Sequence, residues 1–227
     1  MTDDTLEPGV DLTGRDLRDR RLAGAPLQEV TLADADLRKV RLGDVDLRGA
    51  DLTGARLDGV ECAGFLSGAD LTDATLVDAD LRRVDLSDAT LTGADLRRAD
   101  LREGNLSGAV FTEADLSEAR LDGVSAREAR FADADLTDAT ATDAGLVYTA
   151  FADATLRQAT FDDADLLAAT LPGADATRAS FEGADCAELL VGDADFTHAT
   201  FADAVLDGVD FSEATVRGTE LPPGVER

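Results

Sequence analysis

The chain has 227 residues, 44% of them hydrophobic, yet only nine are Phe, one is Tyr and none is Trp. A wide core built on aromatic rings is thereby excluded, and leucine and alanine must fill the interior. Forty-eight acidic against 21 basic residues give a formal charge of -27, which excludes direct binding of nucleic acid through clustered Lys and Arg.

Residues 1–10, "MTDDTLEPGV", form a lead-in with no basic segment followed by an apolar one, and no later run approaches the ~18 apolar residues of a membrane helix. A cytoplasmic protein with no membrane partner is expected. From Leu12 onward a five-residue period takes over. "LTGADLRRADLREGNL", residues 91–106, shows it clearly: Leu91, Leu96, Leu101 and Leu106 are five apart, with Ala94 and Ala99 two residues ahead of the next leucine. A helix rotates about 100° per residue, so such leucines would wander around its cylinder. A continuous strand would send them alternately to opposite faces. The period fits a chain that runs extended for two or three residues, turns and repeats, and such a chain coils.

Apolar centres run from Leu12 in fives to Cys62, resume at position 66 and continue in fives to Leu221, giving 43 centres of which 36 are Leu or Phe. The residue two before each centre is usually Ala or Val; the other three face water. The single slip, in "ECAGFLSGAD" near 62–66, leaves Phe65 or Leu66 to hold the slot and points to a tightened turn at Gly64. Arg15 and Arg20 occupy small inward slots, so an open first coil is expected. Exposed strand edges there and at the far end admit end-to-end pairing of two copies.

Phe111, Phe131 and Phe151 are 20 apart, as are Phe161, Phe181 and Phe201. Rings at that interval would stack if four fives close one coil. With the usual strand spacing of about 4.8 Å, a rod roughly 50 Å long follows. Each coil touches only its neighbours. Residues 11–221 form one solenoid domain and 222–227 a short tail.

The segments "ADLRRADLREG", "ADLTDATLVDADL" and "ADLSEARL" resemble the A(D/N)Lxx repeats of the pentapeptide repeat family over about residues 10–221. The resemblance implies an all-β fold: a right-handed, four-sided parallel β-helix, here of about 10 to 11 coils. It also implies a partner. Some members, of the quinolone-resistance kind, are similar to B-DNA in width and charge and bind DNA gyrase in its place.

Catalysis is starved of groups. His198 is the only histidine and Lys39 the only lysine; no Walker motif and no GxGxxG occurs. Cys62 and Cys186 sit in leucine slots, which predicts buried thiols too far apart for a disulfide. Pairs such as Asp34 with Asp36 and Asp163 with Asp165 straddle corners and lack the ligand count of a calcium site. No enzyme activity, cofactor or metal is expected.

Residues 131–227 hold 20 acidic residues against four bases, so the last third is an acidic rod that could enter a basic DNA saddle. The tail lacks a helical dimerisation module and no loop projects, unlike those gyrase-binding members. The surplus of carboxylates also suits a salt-rich cytoplasm. A second feature points elsewhere: around centres 146, 166 and 186, outward positions include Val147, Tyr148, Leu167 and Leu190, an apolar patch holding the only tyrosine. Two readings follow. The first is an acidic scaffold or regulator that docks a partner protein through Val147, Tyr148, Leu167 and Leu190; the alternative is a DNA mimic that modulates gyrase or another type II topoisomerase.

Overall fold

The computed structural model describes residues 7–18, 20 and 22–224. The chain winds as a four-sided coil whose sides are named here by their first leucines: Leu12, Leu17, Leu22 and Leu27. Parallel bridges join each coil to the next at an interval of 20, as in Thr90↔Val110, Asp95↔Asp115, Asp100↔Arg120 and Asn105↔Ser125, one per side. Each repeat contributes a bridged residue, a buried centre and a turn. Leu32 N–H donates to Asp51 C=O of the coil above (2.6 Å), and Ala35 N–H closes the turn on Leu32 C=O (3.0 Å). The third turn residue takes a positive φ, 57° at Asp34 and 64° at Gly54, as type II turns require. Asp, Asn and Gly tolerate that region best, and Asp or Gly fills the slot in many turns.

The interior is a continuous column of buried Leu, Phe, Ala and Val from Leu12 to Phe211. Phe111, Phe131 and Phe151 stack along the Leu12 side with centroids 4.7 and 5.1 Å apart. Phe161, Phe181 and Phe201 stack on the opposite, Leu22 side at 5.2 and 4.7 Å. Phe151 and Phe161 meet edge to face at 5.9 Å, where the two columns touch. Volume is balanced within three coils, where Phe111 is accompanied by Ala126, Phe131 by Ala141, and Phe181 by Ala176 and Cys186, whereas Phe151 and Phe161 share a coil with Leu156 and Leu166, all buried. A constant cross-section favours such trades, since a packed interior tolerates neither overfilling nor voids.

The slip resolves in favour of Leu66, which is buried, whereas Phe65 points outward and is 50% exposed. One turn residue is missing. Exposure alternates strictly from Glu61 to Leu66, and Gly64 fills the small slot against Val45. Here the only described strands longer than a single bridge form, β1 (Arg41–Gly43) and β2 (Glu61–Cys62), paired in parallel with a register shift. The bridge Asp46↔Phe65, an interval of 19, absorbs the deletion, and Phe65↔Asp85 returns to 20.

The first coil keeps its backbone bonds. Asp11↔Thr31 and Asp16↔Asp36 are bridged, and Arg15 N–H still donates to Leu12 C=O (3.1 Å). The Arg15 and Arg20 side chains are exposed, so among the described residues the coil is open at these two slots. Irregularity lies instead at the other end. The Leu12-side ladder stops at Leu190, while the Leu17 and Leu22 sides continue to Thr215 and Glu220. Pro172 explains part of this: a Cβ at Gly192 would lie 3.2 Å from that of Pro172. The corner turns instead with Gly192 at φ 50°, and Asp193 Oδ1 accepts the Gly173 N–H (2.8 Å).

Candidate functional site

The surface chemistry starts from one backbone donor. The first turn residue points its N–H outward, past the ladder, and the residue before the centre caps it. Thr72 N–H donates to Asp70 Oδ1 (2.9 Å), Thr137 N–H to Asp135 (2.9 Å) and Ser107 N–H to Asn105 Oδ1 (3.2 Å). Asp and Asn supply this acceptor at the right reach, so the abundance of Asp before the centre has a structural cause. Asp70→Ala should cost about 0.5–1.5 kcal/mol, the net value of one such bond, and Asp70→Asn almost nothing. Urea denaturation of the two variants checks this, because a charge effect would move both alike.

Where Arg follows the centre, it forks onto the capping carboxylate. Arg38 donates to Asp36 through Nε (2.8 Å) and Nη2 (2.7 Å). The same fork joins Asp16–Arg18, Asp46–Arg48, Asp80–Arg82, Asp95–Arg97 and Asp100–Arg102. Hydrogen bonding to Arg38 lowers the Asp36 pKa from 3.8 to about 2, and Arg48 does the same for Asp46. A depressed native pKa adds stability that is fully present above the unfolded value and lost as pH falls through the native one. Wild type should therefore lose stability between about pH 4 and pH 2, and Asp36→Asn should lose less over that window in thermal melts.

The Asp-Leu-Arg triplet does not recur after Arg102. Among the described residues beyond 131, the only ion pair is Arg157–Asp175 (2.6 Å). The bases Arg157, Arg178 and Arg217, with His198, all fall on the Leu17 side. The other three sides of this third therefore present carboxylates without cations.

The residues predicted as a patch lie on two sides of the coil rather than one. Val147, Tyr148 and Leu167 lie on the Leu27 side. Leu190, which the spacing grouped with them on one side, belongs to the Leu12 side, where it is bridged to Thr170. The patch therefore wraps the corner between these sides. In three successive coils the outward positions across that corner read Val147, Tyr148, Ala150, Ala152; then Leu167, Ala168, Thr170, Pro172; then Ala187, Glu188, Leu190, Gly192. Glu188 is the one charge among them. Tyr148 is 50% and Leu190 62% exposed. Arg127 lies over the Tyr148 ring, 4.8 Å from its centroid, at cation–π distance. Sequence reading missed Ala152, Pro172 and Gly192; a strict count of 20 with the corner placed between the small slot and the next bridged residue would have found them.

The remaining candidates are quiet. Cys62 and Cys186 are free and buried, and burial pushes their thiols up to about 11 and about 12, which makes poor nucleophiles. His198 is exposed on a corner, its ring over Gly218, where an added Cβ would meet Nδ1 at 2.5 Å. Among the described residues no group of His, Cys, Asp and Glu is arranged to hold a metal, and no helix is long and apolar enough to cross a membrane. The slip leaves an open groove of about 510 Å³ lined by Arg41, Glu61, Arg82, Arg83, Arg102 and Glu103 among others. Arg41 and Arg83 there are held by Glu61 (3.1 Å) and Glu103 (2.8 Å).

No curated protein matches the sequence. Among solved structures, HetL, a pentapeptide repeat protein involved in heterocyst differentiation regulation from the cyanobacterium Nostoc sp. strain PCC 7120, is 28% identical. The match covers 97% of this chain and 92% of HetL, with a TM-score of 0.46. Trypsin-treated QnrB1, a plasmid-mediated fluoroquinolone resistance protein, is 20% identical over 96% of this chain and 91% of its own (TM-score 0.40). A pentapeptide repeat protein of the Arabidopsis thaliana thylakoid lumen is 26% identical over 63% and 71% (TM-score 0.16). The model of pentapeptide repeats matches in eight copies over residues 25–61, 66–103, 105–140, 149–185 and 192–221. Its larger gaps fall on the slip and on parts of the corner patch, around Tyr148 and around Leu190. By the match of most of its length, the chain belongs to the pentapeptide repeat family.

Proposed function

We propose that this chain is a non-enzymatic, rod-shaped binding module, a scaffold or regulator that docks a partner protein through the corner around Tyr148, Leu167 and Leu190. In this reading residues 11–221 form one right-handed solenoid of about 10 to 11 coils, with 1–10 leading in and 222–227 as a tail. The observation that supports it is the corner patch itself. Three coils replace the Asp, Thr and Arg of other corners by apolar residues, including a half-exposed Tyr. Exposed apolar clusters with aromatic anchors mark protein interfaces. Leu167 is only half-buried, so Leu167→Asp should leave the thermal melt near wild type. In affinity capture from the source cell with wild-type and Leu167→Asp baits, loss of a defined partner set with the variant supports the reading, and identical capture overturns it.

A second reading is favoured by the acidic third. Its carboxylates on three sides are unpaired and regularly spaced, and a partner that normally holds DNA would be attracted to them. Gyrase supplies the test. Supercoiling inhibited by the rod and relieved by excess DNA or by salt supports mimicry, because such attraction is screened while apolar docking is not. No inhibition at tens of micromolar removes it.

A further inference from the structure

We infer that the corner patch takes a short basic segment of a partner protein, one whose apolar anchors alternate with Lys or Arg. The inference rests on the docking role proposed above and adds the chemistry of what docks.

The patch is rimmed by charge on every edge. Asp165 and Asp185 flank it on the Leu27 side, Asp153 and Asp193 on the Leu12 side, and Asp207 and Asp210 close the C-terminal end. None of these six carboxylates is in an ion pair among the described residues. Several are fixed in place by capping: Leu167 N–H donates to Asp165 (3.2 Å), Ala187 N–H to Asp185 (3.0 Å) and Gly173 N–H to Asp193 (2.8 Å). Only the N-terminal end carries bases, Arg127 and Arg130; Arg127 covers one face of Tyr148 and is paired with Glu128 (3.2 Å).

This rim selects the occupant. A second copy of the chain would set carboxylates against carboxylates around the same apolar centre, and nucleic acid would be repelled. A basic segment neutralises the rim while its apolar side chains cover Leu167, Leu190 and Tyr148, so both parts of the surface are used at once. Three coils at about 4.8 Å span roughly 15 Å, which an extended segment of about five residues covers. With Arg127 paired to Glu128 and Arg130 beside it, the N-terminal edge offers no surplus of negative charge, so the segment's positive charge is drawn toward Glu188 and Asp207.

A displayed library of random peptides, selected on the immobilised full chain at low salt, tests this. Enriched peptides should combine aromatic or aliphatic residues with Lys or Arg. Their affinity should fall at least tenfold with Leu167→Asp or with Leu190→Asp, whose side chain is largely exposed and whose replacement cannot disturb the core. It should also fall severalfold with the triple variant Asp165→Asn, Asp185→Asn, Asp207→Asn, which keeps the capping oxygens of residues 165 and 185. Enriched peptides that are neutral or acidic yet sensitive to Leu167→Asp and Leu190→Asp would overturn the basic chemistry and leave the docking corner standing. No enrichment, or peptides indifferent to both leucine variants, would overturn the two together.

Discussion

Gly64→Val should be the most damaging single substitution in the rod, costing more than about 3 kcal/mol. A Cβ at this position would lie 2.2 Å from the Val45 carbonyl oxygen and 2.9 Å from its nitrogen. Those are backbone atoms, so no side-chain rotation relieves the clash. The need is for space, because Gly64 is not among the residues with positive φ. Phe65 N–H donates to Val45 C=O (2.9 Å) and Asp85 N–H to Gly64 C=O (3.1 Å), so pushing the strands apart breaks the ladder on both levels. In a one-dimensional stack such a break separates the rod into an N-terminal and a C-terminal block. Urea denaturation should show two transitions or an earlier midpoint, with hydrogen exchange accelerated first around residues 41–66. Gly145→Ala is the control: its Cβ would make only an ordinary contact, 3.6 Å from Val124 C=O, and the variant should be neutral or slightly stabilised. A Gly64→Val protein that melts with wild type would show that the shortened corner is loose.

Phe131→Ala should cost about 3–5 kcal/mol. Its ring is buried between Phe111 and Phe151 with interplanar angles of 2° and 11°, so removal loses the burial and two stacked contacts and opens a void in the middle of the column. Phe131→Leu should cost less than about 1.5 kcal/mol, since leucine is the common occupant of this slot and most of the volume is kept. The damage should remain local, with exchange rising in the coils that hold Phe111 and Phe151 before the N-terminal coils respond. Denaturant midpoints of the two variants, together with exchange mapped along the chain, decide between a local loss and a uniform one.

The period of five and the four sides were legible because burial has no alternative in a coil this narrow: each centre must point inward, and Phe at intervals of 20 betrays the stack. The choice between Phe65 and Leu66 was not legible, since either could fill a leucine slot. It was settled by Gly64, whose missing side chain lets the chain pass Val45. Leu190 was misplaced for a similar reason. The bridged residue before a centre and the turn residues after the previous one are neighbours in sequence, yet a corner stands between them. The end of the Leu12 ladder was hidden as well, because Pro172 and Gly192 affect one another only through stacking, across a full coil. The candidate docking residues were read from the spacing of 20 and their apolar character, and only the corner geometry joined them to Ala152 and Pro172.

The capping of the turn by the residue before the centre separates two properties that are usually entangled in a protein. Where Asp holds that position it supplies the acceptor, so repeats of that kind add carboxylates coil by coil, whatever the rod is for, while Val110, Gly145 and Ala150 hold the same position without one. The residue after the centre has no such role: Arg in Asp36-Leu37-Arg38 and Thr in Asp135-Leu136-Thr137 leave the backbone alike and the buried leucine untouched. This position holds seven of the 17 bases of residues 1–130, and it is one of the places where the local potential is set before it becomes strongly negative beyond residue 131. Charge can be rewritten along the length of such a rod, less negative in one part and more so in another, without a single change to its interior.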